Sequence, residues 1–261
     1  MDLMCWSAPS AAENLALDVE LAKSAASTGR SLLRFWWGDD PAVVMGSSER
    51  AEAVVDTDAC IALHVPILKR CSGGGTVLQT SDVLNYSLIT PAPWTLNVRA
   101  AFRQGTGVIQ AILRSFGVVG IACGTSDVAV GGRKISGNAQ AWRWKSLLVH
   151  GTLLVDFDFD LAGKILKHPS REPDYRHGRS HRDFLITLRQ LGISASRNEV
   201  EQAAVHAGEQ IYGRVNQHIT KEPWFLSASA TFVARASRTI FTVSNTFSGA
   251  MPCIFALFAI A

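Results

Sequence analysis

Two short segments of the chain contain the residue types on which chemistry could depend. Residues 69–77 read Lys-Arg-Cys-Ser-Gly-Gly-Gly-Thr-Val, and residues 131–140 read Gly-Gly-Arg-Lys-Ile-Ser-Gly-Asn-Ala-Gln. In a run of three glycines no Cβ intervenes, so the backbone can approach a ligand closely, and its free N–H groups can hold a carboxylate or a phosphate. Arg70 adds a planar fork of donors suited to the same anions. The first segment therefore predicts an anion-binding loop.

The second segment places one lysine near the start of a predicted strand. Because side chains alternate along a strand, we expect Lys134 and Ser136 on one face and Ile135 on the other. A lysine on a ligand-facing surface supplies a compact positive charge where negative charge develops on a carboxylate or a phosphate. The pattern indicates an electrostatic role for Lys134, although a solvated strand lysine is the default for any single Lys.

Neither segment matches the common nucleotide-binding motifs. Lys134 follows Arg133 rather than Gly, so the pattern Gly-x-x-x-x-Gly-Lys-Ser/Thr is absent, and no Gly-x-Gly-x-x-Gly follows a predicted strand. His177 and His181 have i,i+4 spacing but lack the Glu of a zinc-protease motif. A nucleotide site on this chain must therefore be of another type, and no metal site is predicted at the two histidines.

Length and composition fit one sizeable domain with a large core. The chain has 261 residues, of which 48% are hydrophobic and 18% charged, so disorder is not expected. A net charge of +3 argues against extended nucleic-acid binding, which needs a concentrated basic stripe. The five cysteines are scattered and no secretory signal pattern opens the chain. We therefore expect reduced thiols, a cytoplasmic location and no membrane partner.

The apolar patterns predict an α/β (α+β) fold. Strands are expected at residues 32–37, 42–45, 65–69, 76–78, 84–90, 118–122, 127–130, 133–136 and 146–155, and helices at residues 12–27, 58–63, 98–116, 161–167, 181–191 and 199–215. Gly105 and Gly107 predict a weak point in the third helix.

Two parts of unequal size are expected along the chain. Residues 1–190 are expected to form the main domain, and residues 191–261 a small helical C-terminal extension. The extension ends in an apolar tail, residues 249–261, which is shorter than the roughly 20 residues needed to span a bilayer. We expect this tail to be a buried terminal segment.

Together and in this order, the two segments resemble the lipoate-protein ligase and octanoyltransferase family, which shares its catalytic fold with biotin protein ligase. Residues 84–88, Leu-Asn-Tyr-Ser-Leu, and 150–154, His-Gly-Thr-Leu-Leu, match the same family pattern. The resemblance runs over residues 13–182. It implies a catalytic domain with a mixed, largely antiparallel sheet flanked by helices, on which ATP and the acyl chain lie beneath the glycine loop.

The chain also departs from the family pattern at two places. The ligases usually have Asn-Asp where this chain has Ser126-Asp127, and many of them read approximately Tyr-His-Asp-x-Gly-Asn where residues 78–83 read Leu-Gln-Thr-Ser-Asp-Val. The second departure bears on the polarity of the acyl pocket.

The resemblance implies a set of site residues. Lys134 would stabilise charge on the carboxylate and the α-phosphate. Asp127 would be the magnesium-linked carboxylate, although a turn-capping Asp explains the same residue. The acyl-adenylate would be bound by loop and strand residues, which are Arg70, Ser72, Gly73, Gly74, Gly75, Thr76, Asn85, Ser136, Gly137, Asn138, His150 and Gly151.

The leading hypothesis is an ATP-dependent lipoate-protein ligase. Such an enzyme joins lipoate or octanoate to AMP and passes the acyl group to a lysine of a lipoyl carrier domain. The carriers implied are those of 2-oxoacid dehydrogenases or the glycine cleavage H protein. Many ligases need an accessory domain for adenylation, and because this chain has little room for one, an accessory subunit stays an open question.

Two alternatives stay open. The first is an ATP-independent octanoyltransferase that takes its acyl group from acyl carrier protein through Cys123, whose thiol a nearby lysine would activate. A buried, inert thiol is the commoner state of a free cysteine. The second alternative is a non-catalytic module that binds acyl-adenylate or a carrier domain.

Overall fold

A computed structural model describes residues 1–92, 97–213 and 218–219. The strands are β1 Asp2–Cys5, β2 Leu32–Trp37, β3 Ala42–Met45, β4 Ile67–Lys69, β5 Val77–Gln79, β6 Val83–Pro91, β7 Ile121–Cys123, β8 Asp127–Val130, β9 Arg133–Arg143, β10 Ser146–Leu154 and β11 His218–Ile219. The helices are α1 Ala11–Thr28, α2 Ala51–Val54, α3 Thr57–Ala62, α4 Val98–Ser115, α5 Phe159–Ile165, α6 His181–Phe184 and α7 Arg197–Tyr212. Two short 3-10 helices cover Asp174–Arg176 and Arg189–Leu191.

Eight of the strands form one mixed sheet in the order β11-β1-β2-β6-β10-β9-β8-β7. Strand β1 pairs in parallel with β2 and β11, and every other pairing in this sheet is antiparallel. A second sheet has the order β4-β3-β5, and the glycine loop, residues 70–76, connects β4 to β5. The predicted fold, a mixed and largely antiparallel sheet flanked by helices, is confirmed.

Helix α1 covers one face of the large sheet. Ser10 begins the helix by accepting a hydrogen bond from the backbone N–H of Glu13, and Gly29, with φ of 69°, ends it. The helix contacts β6 and β10. Its buried apolar residues share a core with Ile89 and Leu148 of those strands, so α1 is fixed against the strands that carry residues 84–88 and 150–154.

Helices α4 and α7 cover the opposite face. Helix α4 contacts β8, β9, β10 and α7. It continues through Gly105 and Gly107, so the expected weak point is not found, because Val108, Ile109 and Ile112 are fully buried in the main core and packing outweighs the low helix propensity of glycine.

The C-terminal region agrees only in part with the predictions. The helix predicted at residues 181–191 is wrong, since α6 ends at Phe184 and only a 3-10 turn follows at Arg189–Leu191. Helix α7 contacts α4, β1 and β2. The division of the chain after residue 190 stays a prediction, and the apolar tail, residues 249–261, lies outside the described residues.

Candidate active site

A cavity lies on the α1 face of the large sheet, where two rows of side chains cross the central strands. The rows are Arg34, Ser87 and His150, and Trp36, Asn85 and Thr152, from β2, β6 and β10 in each case. Residues two apart on a strand point to the same side, so both rows belong to one face. The glycine loop and β5 border the cavity on its other side.

Most of the predicted site residues line this one cavity. They are Arg70, Gly74, Gly75, Thr76, Asn85, Asp127, Lys134, Gly137, Asn138, His150 and Gly151. Segments far apart in the sequence therefore meet because β10 pairs with both β6 and β9, and the glycine loop borders the same cavity.

Four predicted residues do not line the cavity. Ser72 Oγ and the carbonyl oxygen of Gly73 instead accept hydrogen bonds from Arg70. Ser136 is buried and accepts a hydrogen bond from the side chain of Asn138. Cys123 ends β7, opposite Asp127 in the β7–β8 pair, and is a free, half-buried thiol.

Arg70 organises the glycine loop. Its Nη2 donates to the carbonyl oxygens of Gly73 and Gly75 at 2.7 and 2.8 Å, its Nη1 to that of Val44 at 3.2 Å, and its Nε to Ser72 Oγ at 3.0 Å. Burial lowers the pKa of Arg70 to about 10, which still leaves it charged at neutral pH. Four of its five N–H groups are therefore engaged, three by the loop and one by β3, and Arg70 contributes mainly by fixing the loop's shape.

A buried polar chain supports the loop from below. Ser72 Oγ lies 2.6 Å from His150 Nε2, and His150 Nδ1 lies 3.8 Å from Asp18 Oδ2. Because Ser72 Oγ already accepts from Arg70, its hydroxyl can donate to His150 Nε2, while Nδ1 faces Asp18. His150 thereby connects the loop to helix α1.

Asp18 forms a fully buried ion pair with Arg34 at 2.7 Å. Arg34 also donates to the side-chain oxygen of Asn14, and Ser87 donates to Asp18. Burial alone raises the pKa of Asp18, but the charge of Arg34 and the contacts with His150 and Ser87 outweigh it and lower that pKa. Asp18 therefore lines the cavity as a paired carboxylate.

A β-bulge decides where Lys134 points. Ser136 faces Val128 across the β8–β9 pair, yet Lys134 faces Ala129, so Ile135 is an extra residue on β9. Val128 and Ala129 are neighbours on β8 and point to different faces of the sheet. Their cross-strand partners, Ser136 and Lys134, therefore also point to different faces. The expectation that Lys134 and Ser136 share a face is therefore wrong.

The same bulge places Lys134 over Gly137. A Cβ on Gly137 would lie 2.6 Å from Lys134 Nζ and 2.7 Å from its Cε, so any other residue there would displace the ammonium from this position. There Nζ binds Asp127 Oδ1 at 2.8 Å. The other oxygen of Asp127, Oδ2, accepts a hydrogen bond of 2.8 Å from the hydroxyl of Tyr175. Both oxygens of Asp127 are engaged.

The described residues give no ready-made metal cage. Within residues 1–92, 97–213 and 218–219, no group of three or more His, Cys, Asp and Glu is arranged to hold a metal ion. Asp127 would have to exchange Lys134 for the ion, or share an oxygen with both. Its assignment as a magnesium ligand stays a prediction.

Sequence reasoning missed several residues of the cavity. They are Leu15, Asp18, Trp36, Val44, Val77, Gln79, Tyr86, Ser87, Ser126, Ala139 and Thr152. A signal was present for Asp18 and its partner Arg34, because each is a charged residue within an apolar run, and charged residues are seldom fully buried without a partner. Tyr175, which holds Asp127, had no such signal.

The family assignment follows from comparison of the whole sequence. The sequence profile of the family described as "Lipoyl protein ligase A/B catalytic domain" matches residues 10–208. The chain belongs to this family. The resemblance inferred from the two motif segments is thereby confirmed.

Relatives within the lipoyl protein ligase A/B family carry two different activities in their names. A putative lipoate-protein ligase A of Aeropyrum pernix is 33% identical over 145 residues, which is 56% of this chain and 54% of the relative. Octanoyltransferase LipM of Carboxydothermus hydrogenoformans is 31% identical over 188 residues, 64% of this chain and 69% of the relative. The chain thus spans about half the length of the Aeropyrum relative, and family membership does not separate ligase from transferase.

The fold agrees with that of a solved structure. A structure described as a bi-partite lipoate protein ligase and its E2 lipoyl domain, from Thermoplasma acidophilum, superposes with a TM-score of 0.76 at 24% identity. The superposition covers 90% of this chain and 93% of the other. In the part of this chain that the structure describes, no helix has the length and apolar character to cross a bilayer.

Proposed function

We propose that the protein is an ATP-dependent lipoate-protein ligase. The observation that carries the proposal is the composition of the cavity. Lys134 lines it, with its ammonium next to Asp127, whereas no cysteine is among the described residues of the lining. A lysine suits a reaction in which negative charge develops on phosphate and carboxylate oxygens, whereas acyl transfer through a thioester needs an accessible thiolate.

In the first step an oxygen of the lipoate carboxylate attacks the α-phosphorus of ATP. The bond from that phosphorus to the bridging oxygen breaks, and pyrophosphate leaves with the electron pair. Lys134 would approach the α-phosphate and the carboxylate as charge develops there. The loop shaped by Arg70 would present backbone N–H groups to the same anions. Positioning and charge stabilisation are the two contributions asked of the protein.

In the second step the ε-amino group of a carrier-domain lysine attacks the acyl carbonyl carbon. The carbon–oxygen bond to AMP breaks, and the amine loses one proton to solvent. The acyl-adenylate is already activated, so the protein's part is to keep it in place for the incoming amine. The partner we propose is a lipoyl carrier domain of the type named with the Thermoplasma protein.

ATP and lipoate are proposed as substrates on the same grounds. ATP activation requires magnesium, and Asp127 is our candidate ligand because it is the acidic residue next to Lys134 in the cavity. An accessory subunit is part of the proposal, since the Thermoplasma protein is described as bi-partite.

The competing activity is an octanoyltransferase that works through Cys123, and the similarity to LipM favours it. Cys123 pairs with Asp127 across β7 and β8, but Asp127 lines the cavity and Cys123 does not. The other cysteine near the loop is unsuited to this role, because burial, followed by the charge of Asp18, raises the pKa of Cys71 to about 11.

Acyl transfer to a purified apo lipoyl domain, measured by intact mass, separates the two activities. One reaction contains lipoate and Mg-ATP, and the other contains octanoyl-acyl carrier protein without ATP. The ligase proposal expects a gain of one lipoyl group only with ATP. It expects this gain to be lost in Lys134→Met and kept in Cys123→Ala.

Cys60→Ala is the matched control, because Cys60 is a buried thiol on α3 outside the cavity. A gain from octanoyl-acyl carrier protein that disappears in Cys123→Ala and persists in Cys60→Ala would overturn the ligase proposal in favour of the transferase. Binding of acyl-adenylate without any mass gain would favour a non-catalytic module or a chain that needs its second subunit.

A further inference from the structure

The environment of Asp127 extends to a residue outside both motif segments. Tyr175 belongs to the 3-10 turn Asp174–Arg176, and its hydroxyl donates to Asp127 Oδ2 at 2.8 Å. The opposite oxygen, Oδ1, binds Lys134 Nζ at 2.8 Å. Asp127 therefore binds two donors: the charged Lys134, which lines the cavity, and the neutral Tyr175, which does not.

Tyr175 is held firmly in this position. Its ring packs against the buried ring of Phe184 with centroids 5.1 Å apart, and its carbonyl oxygen accepts a hydrogen bond from Arg179 Nη2 at 2.6 Å. The hydroxyl of Tyr175 is the donor in its contact with Asp127, because a carboxylate oxygen can only accept.

Lys134 and Tyr175 differ in freedom of movement. The side chain of Lys134 is 25% exposed, against 8% for Asp127, and a lysine has a long flexible stem. The side chain of Tyr175 is fixed by its ring. If Lys134 moves towards a phosphate, Asp127 loses its charged partner but keeps the hydrogen bond from Tyr175.

We propose that Tyr175 is a positioning residue that allows Lys134 to leave Asp127 for the reacting phosphate. The hydrogen bond from Tyr175 takes up part of the negative charge of Asp127, which weakens the hold of Asp127 on Lys134. It also keeps the carboxylate in place, with a donor, while the lysine is away, because an ionised group left without a partner near the interior is costly. This inference rests on the proposed role of Lys134 in adenylation.

Tyr175→Phe tests the proposal because it removes one hydroxyl and retains the ring. Lipoyl-adenylate formation is measured as pyrophosphate release from lipoate and Mg-ATP. We expect kcat to fall about tenfold, as for loss of a hydrogen bond to a charged group, while KM for lipoate changes less than about twofold. Transfer from chemically prepared lipoyl-adenylate to the apo carrier domain should be unchanged, since the activated bond already exists.

A double-mutant comparison separates positioning from general damage to the fold. In Asp127→Asn the charge that Tyr175 shares is gone, so Tyr175→Phe should have no further effect on kcat in that background. Tyr212→Phe is the matched control, because Tyr212 OH is buried without a hydrogen-bond partner among the described residues and lies outside the cavity. It should leave kcat unchanged. Equal losses from Tyr175→Phe with and without Asp127→Asn would overturn the proposal.

A second measurement does not depend on ligase activity. The rate at which an amine-specific reagent labels Lys134 is followed by peptide mass spectrometry in the protein without substrates. We expect labelling about two- to fivefold slower in Tyr175→Phe than in the wild type, since Asp127 then holds the ammonium more tightly, and faster in Asp127→Asn. Unchanged labelling in Tyr175→Phe would overturn the proposal. Slower labelling in a protein that forms no adenylate would retain the Tyr175 contact and reject the ligase function instead.

Discussion

Two ion pairs of similar length border the same cavity, but they differ in burial and in the type of cation. Arg34 and Asp18 lie 2.7 Å apart, and Lys134 and Asp127 lie 2.8 Å apart. In the first pair the side chains are 0% and 2% exposed, and in the second 25% and 8%. The first cation is a rigid fork held by four acceptor atoms from Asp18, Asn14 and Trp6. The second is a flexible amine that binds one carboxylate oxygen of Asp127.

The difference indicates two separate tasks. A charge that is fully removed from water and surrounded by acceptors cannot move without a large loss of free energy, so the first pair holds α1 to β2. A partly open pair is worth little to stability, and its lysine can exchange one anion for another. Although the two distances are similar, the Arg34–Asp18 pair stabilises the fold, whereas Lys134 can move to another anion.

The largest effect is expected from breaking the closed pair. Arg34→Met leaves Asp18 buried without its cation, and we expect a loss of about 3–5 kcal/mol in the free energy of unfolding. Urea unfolding followed by circular dichroism measures this loss. The double variant Asp18→Leu/Arg34→Met removes both charges and should recover most of it. A loss below about 1 kcal/mol in the single variant would mean that the pair does not support the fold.

The same change in the open pair should act on the reaction. Lys134→Met is expected to lower the rate of lipoyl-adenylate formation by about 10²- to 10³-fold, comparable to the loss of one donor to a developing oxyanion. Its free energy of unfolding should change by less than about 1 kcal/mol. A strongly destabilised Lys134→Met protein would contradict the contrast between the two pairs.

A smaller change displaces Lys134 without removing it. In Gly137→Ala the new Cβ occupies the place of the lysine's Nζ and Cε, which can move because they end a flexible chain. Adenylate formation should fall about 10- to 100-fold, since misplacement of about 1 Å can have that effect, with little loss of stability. Gly163→Ala on α5 is the matched control, because its Cβ would meet no atom within 4 Å. It should retain full activity.

The smallest expected effect is on the pH dependence of the free energy of unfolding. Partners lower the pKa of folded Asp18 below its ordinary value of 3.8, so the stabilisation is present above about pH 4 and is lost as the pH falls through the folded pKa. Unfolding free energies measured between pH 6 and pH 3 should fall more steeply for the wild type than for Asp18→Leu/Arg34→Met. Parallel curves would show that Asp18 does not contribute to acid sensitivity.

Local patterns were sufficient for much of the fold. The strands β2 and β3 were predicted with their observed ends, because two apolar runs are separated by the turn residues Asp39, Asp40 and Pro41. Helix α1 was predicted to within one residue at each end, because Leu15, Val19 and Ala22 recur at helical spacing and Gly29 follows them. Strand β1, Asp2–Cys5, was missed, since four residues carry little periodicity and the strand exists through its pairing with β2 and β11.

The sequence predicted those residues of the candidate site that lie within the motif segments. The loop and Lys134 were found in this way, and the structure brings them together in one cavity. Asp18, Arg34 and Tyr175 were not found, because their importance comes from contacts between elements distant in sequence. For Lys134 even the face of its strand was predicted wrongly, since strict alternation takes no account of a bulge.

That bulge has a consequence for insertions and deletions. Ile135 shifts the β8–β9 register by one residue, so side chains on either side of it follow opposite parity. Removing Arg133 would allow Ile135 and Lys134 to pair regularly with Ala129 and Val130, and would turn an unchanged Lys134 towards the side covered by α4, away from the cavity. A deletion of this one codon would therefore remove Lys134 from the cavity and abolish the proposed adenylation, although every residue of the cavity lining would be unchanged.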